Sequence, residues 1–597
     1  MAWYDEAVFY HIYPLGLTGA PKKNHYGAPE HRLNILIPWI SHIREIGCNA
    51  IYIGPLFESV GHGYETTDYK KLDSRLGTNE DLTNFVKECH AKGIRVILDG
   101  VFNHVGRDFF AFQDLKHNRE NSAYKDWFCN INFWGNNEYN DGFSYENWGG
   151  YNLLVKLNQK NSAVRDYICD VIRFWVREYD IDGIRLDAAD VLDFGYMQAL
   201  RHVANEVKPD FWLMGEVIHG DYTRWVNEET LHSVTNYHLH KALYSGHNDH
   251  NFFEIAHTVR QQCEMSGNSS FGLKLYNFVD NHDVERIYTK LNNKAHFVPV
   301  HVLLYTLPGI PSIYYGSEFG IEGRKERYSD DSLRPALNLY DFKDALENNS
   351  CTKVVAALGK VRQKVDALAY GDYKELLLTT TQYAFSRSYY GQTVVTTVNN
   401  GDGDVDMFVR ADVNGEYVGV LCGEHVWAEN GCLNVRVKGN SGELWIPAEV
   451  TEDEAVWEPI EAYEPMIEEN LGEDICEECS GAENQVDDSQ DDASQKFLKG
   501  YAGEENTVCQ NVVGRKDWQA EPAKDAHEKK ECAEKPVEPK KVEVPKNKSY
   551  EEMTIEELQQ AILDRMAKNG PVTDRMRQDV IENVWHNSLL TWVRSFN

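Results

Sequence analysis

Along residues 1 to about 360, short apolar, β-branched runs alternate with longer stretches whose apolar positions recur every three or four residues. That is the pattern of parallel βα units. The runs predict eight strands, at 8–14, 50–55, 95–101, 183–188, 212–217, 233–238, 275–281 and 312–318. Amphipathic helices are predicted between them, for example at 81–92 and 162–178, the second with Ser162 as its cap. Eight such units fit a closed (β/α)8 TIM barrel, whose active site lies at the C-terminal ends of the strands. An open doubly wound sheet would carry a glycine-rich phosphate loop after the first strand, and none is present.

The connection from the third strand to the helix at 162 is too long for a plain βα loop and is rich in Asn, Trp, Phe and Gly. It reads as a small functional subdomain, about 103–160, overhanging the site. The catalytic barrel then spans 1–365, ending in a helix at 352–365. Beyond it the period shifts to two, with strands at 394–399, 406–413, 417–422, 433–437 and 443–447, an antiparallel β-sandwich over 366–450. Residues 451–548 are polar, charged and dotted with proline, the composition of a disordered linker.

The segment 549–597 reads as a helical hairpin. Thr554 caps a helix through Met566, Gly570-Pro571 breaks it, and Thr573 opens another to about Arg594. Val580, Val584, Trp585, Leu589 and Trp592 form a stripe on the second helix. Packing on the first helix or the main body is its plain reading; a protein partner or self-association is the alternative.

The formal charge of −34 argues against nucleic acid and anionic membrane surfaces as partners. Residues 451–500 alone hold 17 acidic residues against two lysines, so this acidity is partly a linker property. The start of the chain lacks the basic-then-apolar order of a secretory signal, and no apolar run reaches the roughly 20 residues of a membrane span. The 12 cysteines are scattered, which fits reduced thiols in a cytoplasm. One pair, Cys476 and Cys479, has metal-like spacing, but no second pair follows it.

Three acidic residues fall at the ends of different predicted strands: Asp187 after the fourth, Glu216 after the fifth and Asp283 beyond the seventh. Arg185, two residues before Asp187, shares its strand face and can keep that aspartate ionised. His104 and His282 stand at the rim, where neutral imidazoles can donate to sugar hydroxyls.

The segments 99–104, 183–187, 215–217 and 278–283 resemble, in order and interval, the four signature stretches of the α-amylase family of glycoside hydrolases. Residues 62–69, 10–14 and 309–316 resemble further stretches of that family. The resemblance covers about residues 1–450. It implies that Asp187 is the nucleophile, Glu216 the general acid and base, and Asp283 the stabiliser of the distorted sugar. Tyr64 would stack beneath that sugar, with His104, Arg185 and His282 lining the same subsite. The implied substrate is an α-glucan oligosaccharide, cleaved mainly at α-1,4 bonds in maltodextrins, starch fragments or cyclodextrins. A glucanotransferase or isomerase on the same triad is the nearest alternative, and a scaffold without catalysis would have lost a triad carboxylate.

Residues 154–158 look like the neopullulanase and cyclomaltodextrinase branch, although that branch's N-terminal β-domain has no counterpart before the barrel. The family's calcium ligands are incomplete: Asn103 remains, Asn158 stands in place of an aspartate, and Asp190 and Val191 replace the usual Lys-His pair. No cofactor is therefore expected, with calcium as the alternative its remaining ligands leave open.

Overall fold

The computed structural model describes residues 2–451, apart from 268, 269, 271 and 328, and residues 553–569. Eight parallel strands form the barrel: β1 (Phe9–Ile12), β2 (Ala50–Ile53), β3 (Arg95–Gly100), β4 (Gly183–Leu186), β5 (Trp212–Gly215), β6 (Ser233–Val234), β7 (Tyr276–Phe278) and β8 (Ile310–Tyr314). Each pairs with its sequence neighbour, and β1 pairs with β8. A single parallel bridge, Thr235 to Tyr276, joins β6 to β7 and completes the ring.

Strand alternation divides the side chains. Phe9, Ala50, Tyr52, Ile97, Trp212, Met214, Tyr276, Phe278 and Ile310 pack together in one buried cluster, while Tyr10, Ile51, Leu98, Ile184 and Leu213 join the larger cluster beneath the surrounding helices. Gly183 is required at its place in the ring, since a Cβ there would meet the Trp212 carbonyl oxygen at 2.5 Å. The helix Asn79–Ala91 opens with Asp81 Oδ2 accepting from Thr78 N at 2.7 Å and from Thr78 Oγ1 at 3.0 Å. The helix Ser162–Tyr179 is capped by Asn161, whose side chain accepts from Ala163 N, and not by Ser162 as the sequence suggests. The two residues share N-cap chemistry, so composition alone does not place the boundary.

The insertion after β3 holds a three-stranded antiparallel sheet, His104–Gly106, Tyr151–Lys156 and Asn147–Trp148. Gly149 and Gly150, both at positive φ, make the two-residue turn between the last two strands.

After the helix Ser350–Arg362 come six antiparallel strands: β9 (Asp372–Leu378), β10 (Gln382–Tyr389), β11 (Gln392–Asn399), β12 (Val405–Gly419), β13 (His425–Val437) and β14 (Ser441–Pro447). They form one connected sheet, in the order β9-β10-β11-β14-β12-β13, that folds over a core of Val395, Met407, Val409, Leu433 and Trp445. The sequence reading misses β9 and β10 and splits β12 in two.

A second compact unit, residues 512–597, contains the helix Ile555–Asn569. Thr554 Oγ1 accepts from Glu557 N at 3.3 Å, the expected cap. The expected second helix, the linker and the Cys476–Cys479 pair lie outside the described residues. Among the described residues, all eight cysteines are free and no helix is long and apolar enough to cross a membrane.

Candidate active site

The interior parity of the barrel carries the site at its C-terminal end. In β3, Ile97 and then Asp99 point inward; in β4, Gly183 and Arg185 do, and in β5, Trp212 and Met214. Asp187 and Glu216 continue that parity one step past their strands, where the ladder has ended. The β3–β4 register sets Asp99 beside Arg185.

Arg185 is the hub. Its Nη1 donates to Asp99 Oδ1 at 2.9 Å, to Asp99 Oδ2 at 3.1 Å and to Asp187 Oδ1 at 2.9 Å, and Nη2 lies 2.9 Å from Glu216 Oε2. Burial works against the guanidinium charge, but Asp99 and Glu216 hold it more firmly protonated than usual. One cation thus serves three carboxylates. Burial raises the Asp187 carboxyl well above the usual carboxylate range; Arg185 opposes the shift, and Glu216 and Asp99 add to it. The expected Arg185–Asp187 hydrogen bond is present, and the same guanidinium also serves Asp99 and Glu216.

Among the described residues, only one oxygen of each of the two rim carboxyls is anchored. Asp187 Oδ1 is held by Arg185, and Glu216 Oε2 accepts from Arg185 and from Ala188 N at 3.0 Å. Ala188 takes a left-handed conformation, φ 46°, which turns its N–H toward Glu216. Asp187 and Glu216 line one cleft together with Tyr64, His104, Trp148, Ala188 and Asp283.

Asp283 faces them under a different field. Its carboxyl lies 3.0 Å from His282 Nε2 and accepts from Arg334 Nη2 at 2.8 Å, while Lys325 Nζ donates to its backbone oxygen at 2.7 Å. Burial would raise this carboxyl, but His282, Arg334 and Lys325 outweigh burial and hold it well below the usual range. Arg334 also pairs with Asp330 at 3.0 Å.

Tyr64 comes from the loop between Phe57–Ser59 and Thr66–Leu72, which is latched by Glu65 accepting from Gly63 N at 3.2 Å. Its hydroxyl donates to Asp99 Oδ2 at 3.2 Å and lies 2.5 Å from His282 Nε2. His282 is layered between Tyr64 and Tyr13, at centroid separations of 5.7 and 5.8 Å. Burial pushes the His104 imidazole down to about 3, so it is neutral, with Nε2 free of any hydrogen bond among the described residues.

All seven residues singled out from the sequence thus converge. Asp187, Glu216, Asp283, Tyr64 and His104 line the cleft, and Arg185 and His282 sit directly behind them. Sequence reasoning missed Asp99, Trp148 and Arg334. Trp148 lies parallel to His104, at 6.4 Å and 7°, delivered by the glycine turn of the insertion. The Gly149-Gly150 pair after an aromatic residue is the one signal that could have marked it.

The side chains at the family's calcium positions are partly engaged within the chain. Asn103 Oδ1 already accepts from Gln159 Nε2 at 3.0 Å, Gln159 Oε1 accepts from Asp193 N at 2.6 Å, and the Asn158 amide donates to Asp126 O at 2.9 Å. Among the described residues no three acidic, histidine or cysteine side chains converge as a metal cage.

Residues 32–366 match the model of the α-amylase catalytic domain. The chain is 31% identical over 437 residues to a cyclomaltodextrinase of Thermoanaerobacter pseudethanolicus, covering 68% of this chain and 72% of that protein. It is 30% identical over 473 residues to neopullulanase 2 of Thermoactinomyces vulgaris, covering 74% and 78%. Among solved structures, the debranching enzyme of Nostoc punctiforme superposes with a TM-score of 0.64 at 26% identity, over 74% of this chain and 98% of that one. With the barrel, the appended β-domain and the cleft in place, these matches establish that the chain belongs to the α-amylase family and is a glycoside hydrolase.

Proposed function

We propose that this enzyme cleaves α-1,4 bonds in maltodextrins, starch-derived oligosaccharides or cyclodextrins with retention of configuration. The observation that carries the reading is the shared guanidinium: Asp187 and Glu216 are held on adjacent nitrogens of Arg185, close together on one side of a cleft. Such closeness suits a carboxylate that attacks the sugar directly, whereas an inverting pair stands about 6.5–9.5 Å apart to admit a water.

In this reading, Asp187 Oδ2, the oxygen without an anchor, attacks the anomeric carbon as Glu216 Oε1 gives its proton to the departing glycosidic oxygen. The bond to the leaving sugar breaks, and a glycosyl ester forms on Asp187. Water then attacks the same carbon, Glu216 takes its proton, and the ester opens to restore both carboxyls. Asp283 keeps its charge throughout and holds hydroxyls of the distorted ring. Tyr64 and Trp148 offer aromatic faces, and neutral His104 donates to a hydroxyl. Transfer to a sugar acceptor in place of water uses the same first step. The neopullulanase and cyclomaltodextrinase relatives favour small or cyclic glucans as substrates here.

The test is a product time course on maltoheptaose, starch and β-cyclodextrin, with Asp187→Asn alongside. Short maltooligosaccharides, formed fastest from maltoheptaose and the cyclic substrate and absent with the variant, are expected. Products longer than the starting sugar would make it a transferase, and no turnover of any glucan would refute the reading.

A further inference from the structure

Tyr64 stands near the tip of the loop 60–65, between the strands Phe57–Ser59 and Thr66–Leu72, whose ladder closes with the Ser59–Thr66 pair. Its place is narrowly set, since the hydroxyl meets Asp99 and His282 and the ring lies at 10° to His282. Within the loop, Glu65 accepts from Gly63 N and lies 3.1 Å from His62 Nε2, while Tyr13 donates to His62 O at 2.6 Å. The entry to the loop, at Gly61, is held from outside.

Arg75, which follows the strand Thr66–Leu72, supplies that hold and is only 4% exposed. Its Nη1 donates to Gly61 O at 2.6 Å, to Pro21 O at 2.9 Å and to Lys22 O at 3.2 Å. Nη2 donates to Ser59 Oγ at 2.9 Å and to Asp73 Oδ2 at 2.8 Å, and Nε donates to Asp73 Oδ1 at 2.9 Å. Asp73 is buried as well, and its carboxylate also accepts from Ser59 N at 3.2 Å. One planar guanidinium thus grips the strand end where the loop begins, the loop itself and the segment 21–22, with its charge balanced by a carboxylate. A rigid fork of five donors can serve acceptors spread in this way, whereas an ammonium gathers its donors at one point.

The charge of Arg75 also faces Glu65, the loop's own latch. The segment it grips reaches the other wall of the cleft: the Lys22 side chain pairs with Asp331, beside Asp330, which shares Arg334 with Asp283. That outer pair is exposed and contributes little, so the buried fork carries the positioning. We propose that Arg75 is a positioning residue for the cleft, fixing the entry of the loop so that Tyr64 presents its ring to the sugar. That Tyr64 serves a sugar rests on the function proposed above.

The experiment measures kcat/KM on maltoheptaose for Arg75→Gln in the full-length chain, once with Tyr64 intact and once with Tyr64→Ala. About a tenfold loss is expected with Tyr64 intact, because small displacements at a reacting centre are costly, and less than about twofold without it. Equal losses in the two backgrounds would reduce Arg75 to a support of the fold and overturn the proposal. Arg75→Gln leaves Asp73 buried without its cation, so Asp73→Asn/Arg75→Gln is measured beside it and should give the same pattern. Arg75→Lys keeps the charge but not the fork; it should recover the melting midpoint without recovering kcat/KM, and full activity here would likewise overturn the proposal. Hydrogen exchange needs no substrate: the peptide 60–66 should exchange faster in Arg75→Gln than in the wild type, with β1 and β2 unchanged, and an unchanged loop refutes the role of Arg75. Absence of glucan turnover in the wild type refutes the proposed function instead, and the exchange result still decides on Arg75.

Discussion

Replacing Asp99 with asparagine tests how one guanidinium controls the catalytic acids. The Asp99 carboxylate accepts two bonds from Arg185, one from Tyr52 at 2.7 Å and one from Tyr64 at 3.2 Å. Asparagine keeps the shape and one acceptor oxygen but removes the charge. Asp99 Oδ1 and Asp187 Oδ1 both receive Arg185 Nη1 at 2.9 Å. Two unit charges so placed, about 6 Å apart, repel by about 3 kcal/mol at an effective dielectric constant of about 20. That equals about two pKa units as an upper bound, and screening at the open cleft reduces it to about one. In the proposed mechanism Asp187 must be ionised to attack, so activity is lost as pH falls through its raised pKa. Removing a charge that raises this pKa should move the acid limb of the pH profile down, by about one unit. The assay is kcat/KM against pH on a chromogenic aryl α-maltoside. A drop in rate at every pH with an unmoved limb would show that Asp99 only positions Arg185, and an upward shift would refute the electrostatic account altogether.

Trp148→Ala removes an aromatic face of the cleft and should raise KM for maltoheptaose about five- to tenfold with a smaller loss in kcat, read by initial rates. Arg334→Gln leaves Asp283 and Asp330 without their shared cation; kcat/KM should fall on the order of a hundredfold, and the melting midpoint should drop with a stability loss of about 3 kcal/mol. Dialysis against a chelator should leave activity and melting temperature unchanged, since Gln159 already engages Asn103 Oδ1 and Asn158 stands where the family has an aspartate; recovery of lost activity by added calcium would contradict this.

Much of the barrel is legible in the sequence because strands buried on both faces read as unbroken apolar runs between amphipathic helices. The strand ends are less legible, and for a functional reason. The runs at 183–188 and 212–217 continue past the hydrogen-bonded ladders, which stop at Leu186 and Gly215. Asp187 and Glu216 lie in that overhang, so the residues that look like strand are already site. In the β-domain the losses come from bulges. A register shift at Glu375/Leu377 disturbs the alternation of β9, and shifts at Arg410/Val413 and Val413/Gly415, with Asp412 and Gly415 at positive φ, make β12 read as two strands. The seven site residues were readable from local motifs. Trp148 and Arg334 reach the cleft from a hairpin turn and from the segment after β8, where neither period nor motif marks them.

Between β6 and β7 the ring closes through one backbone bridge, with Asn236 Nδ2 donating to Asn277 Oδ1 at 2.8 Å beside it, whereas β1 and β2 share four paired positions. A cylinder with one weak stave has a preferred place to part. Transient opening should begin there, and in hydrogen exchange the amide of Asn236, which donates to Tyr276 O at 2.9 Å, should exchange before those of β1 and β2. Asp283 lies five residues beyond β7 and Glu216 just beyond β5, so this parting line runs between the two halves of the cleft. Opening along that line would widen the mouth of the cleft while the Arg185 cluster, carried by β3, β4 and the end of β5, stays whole.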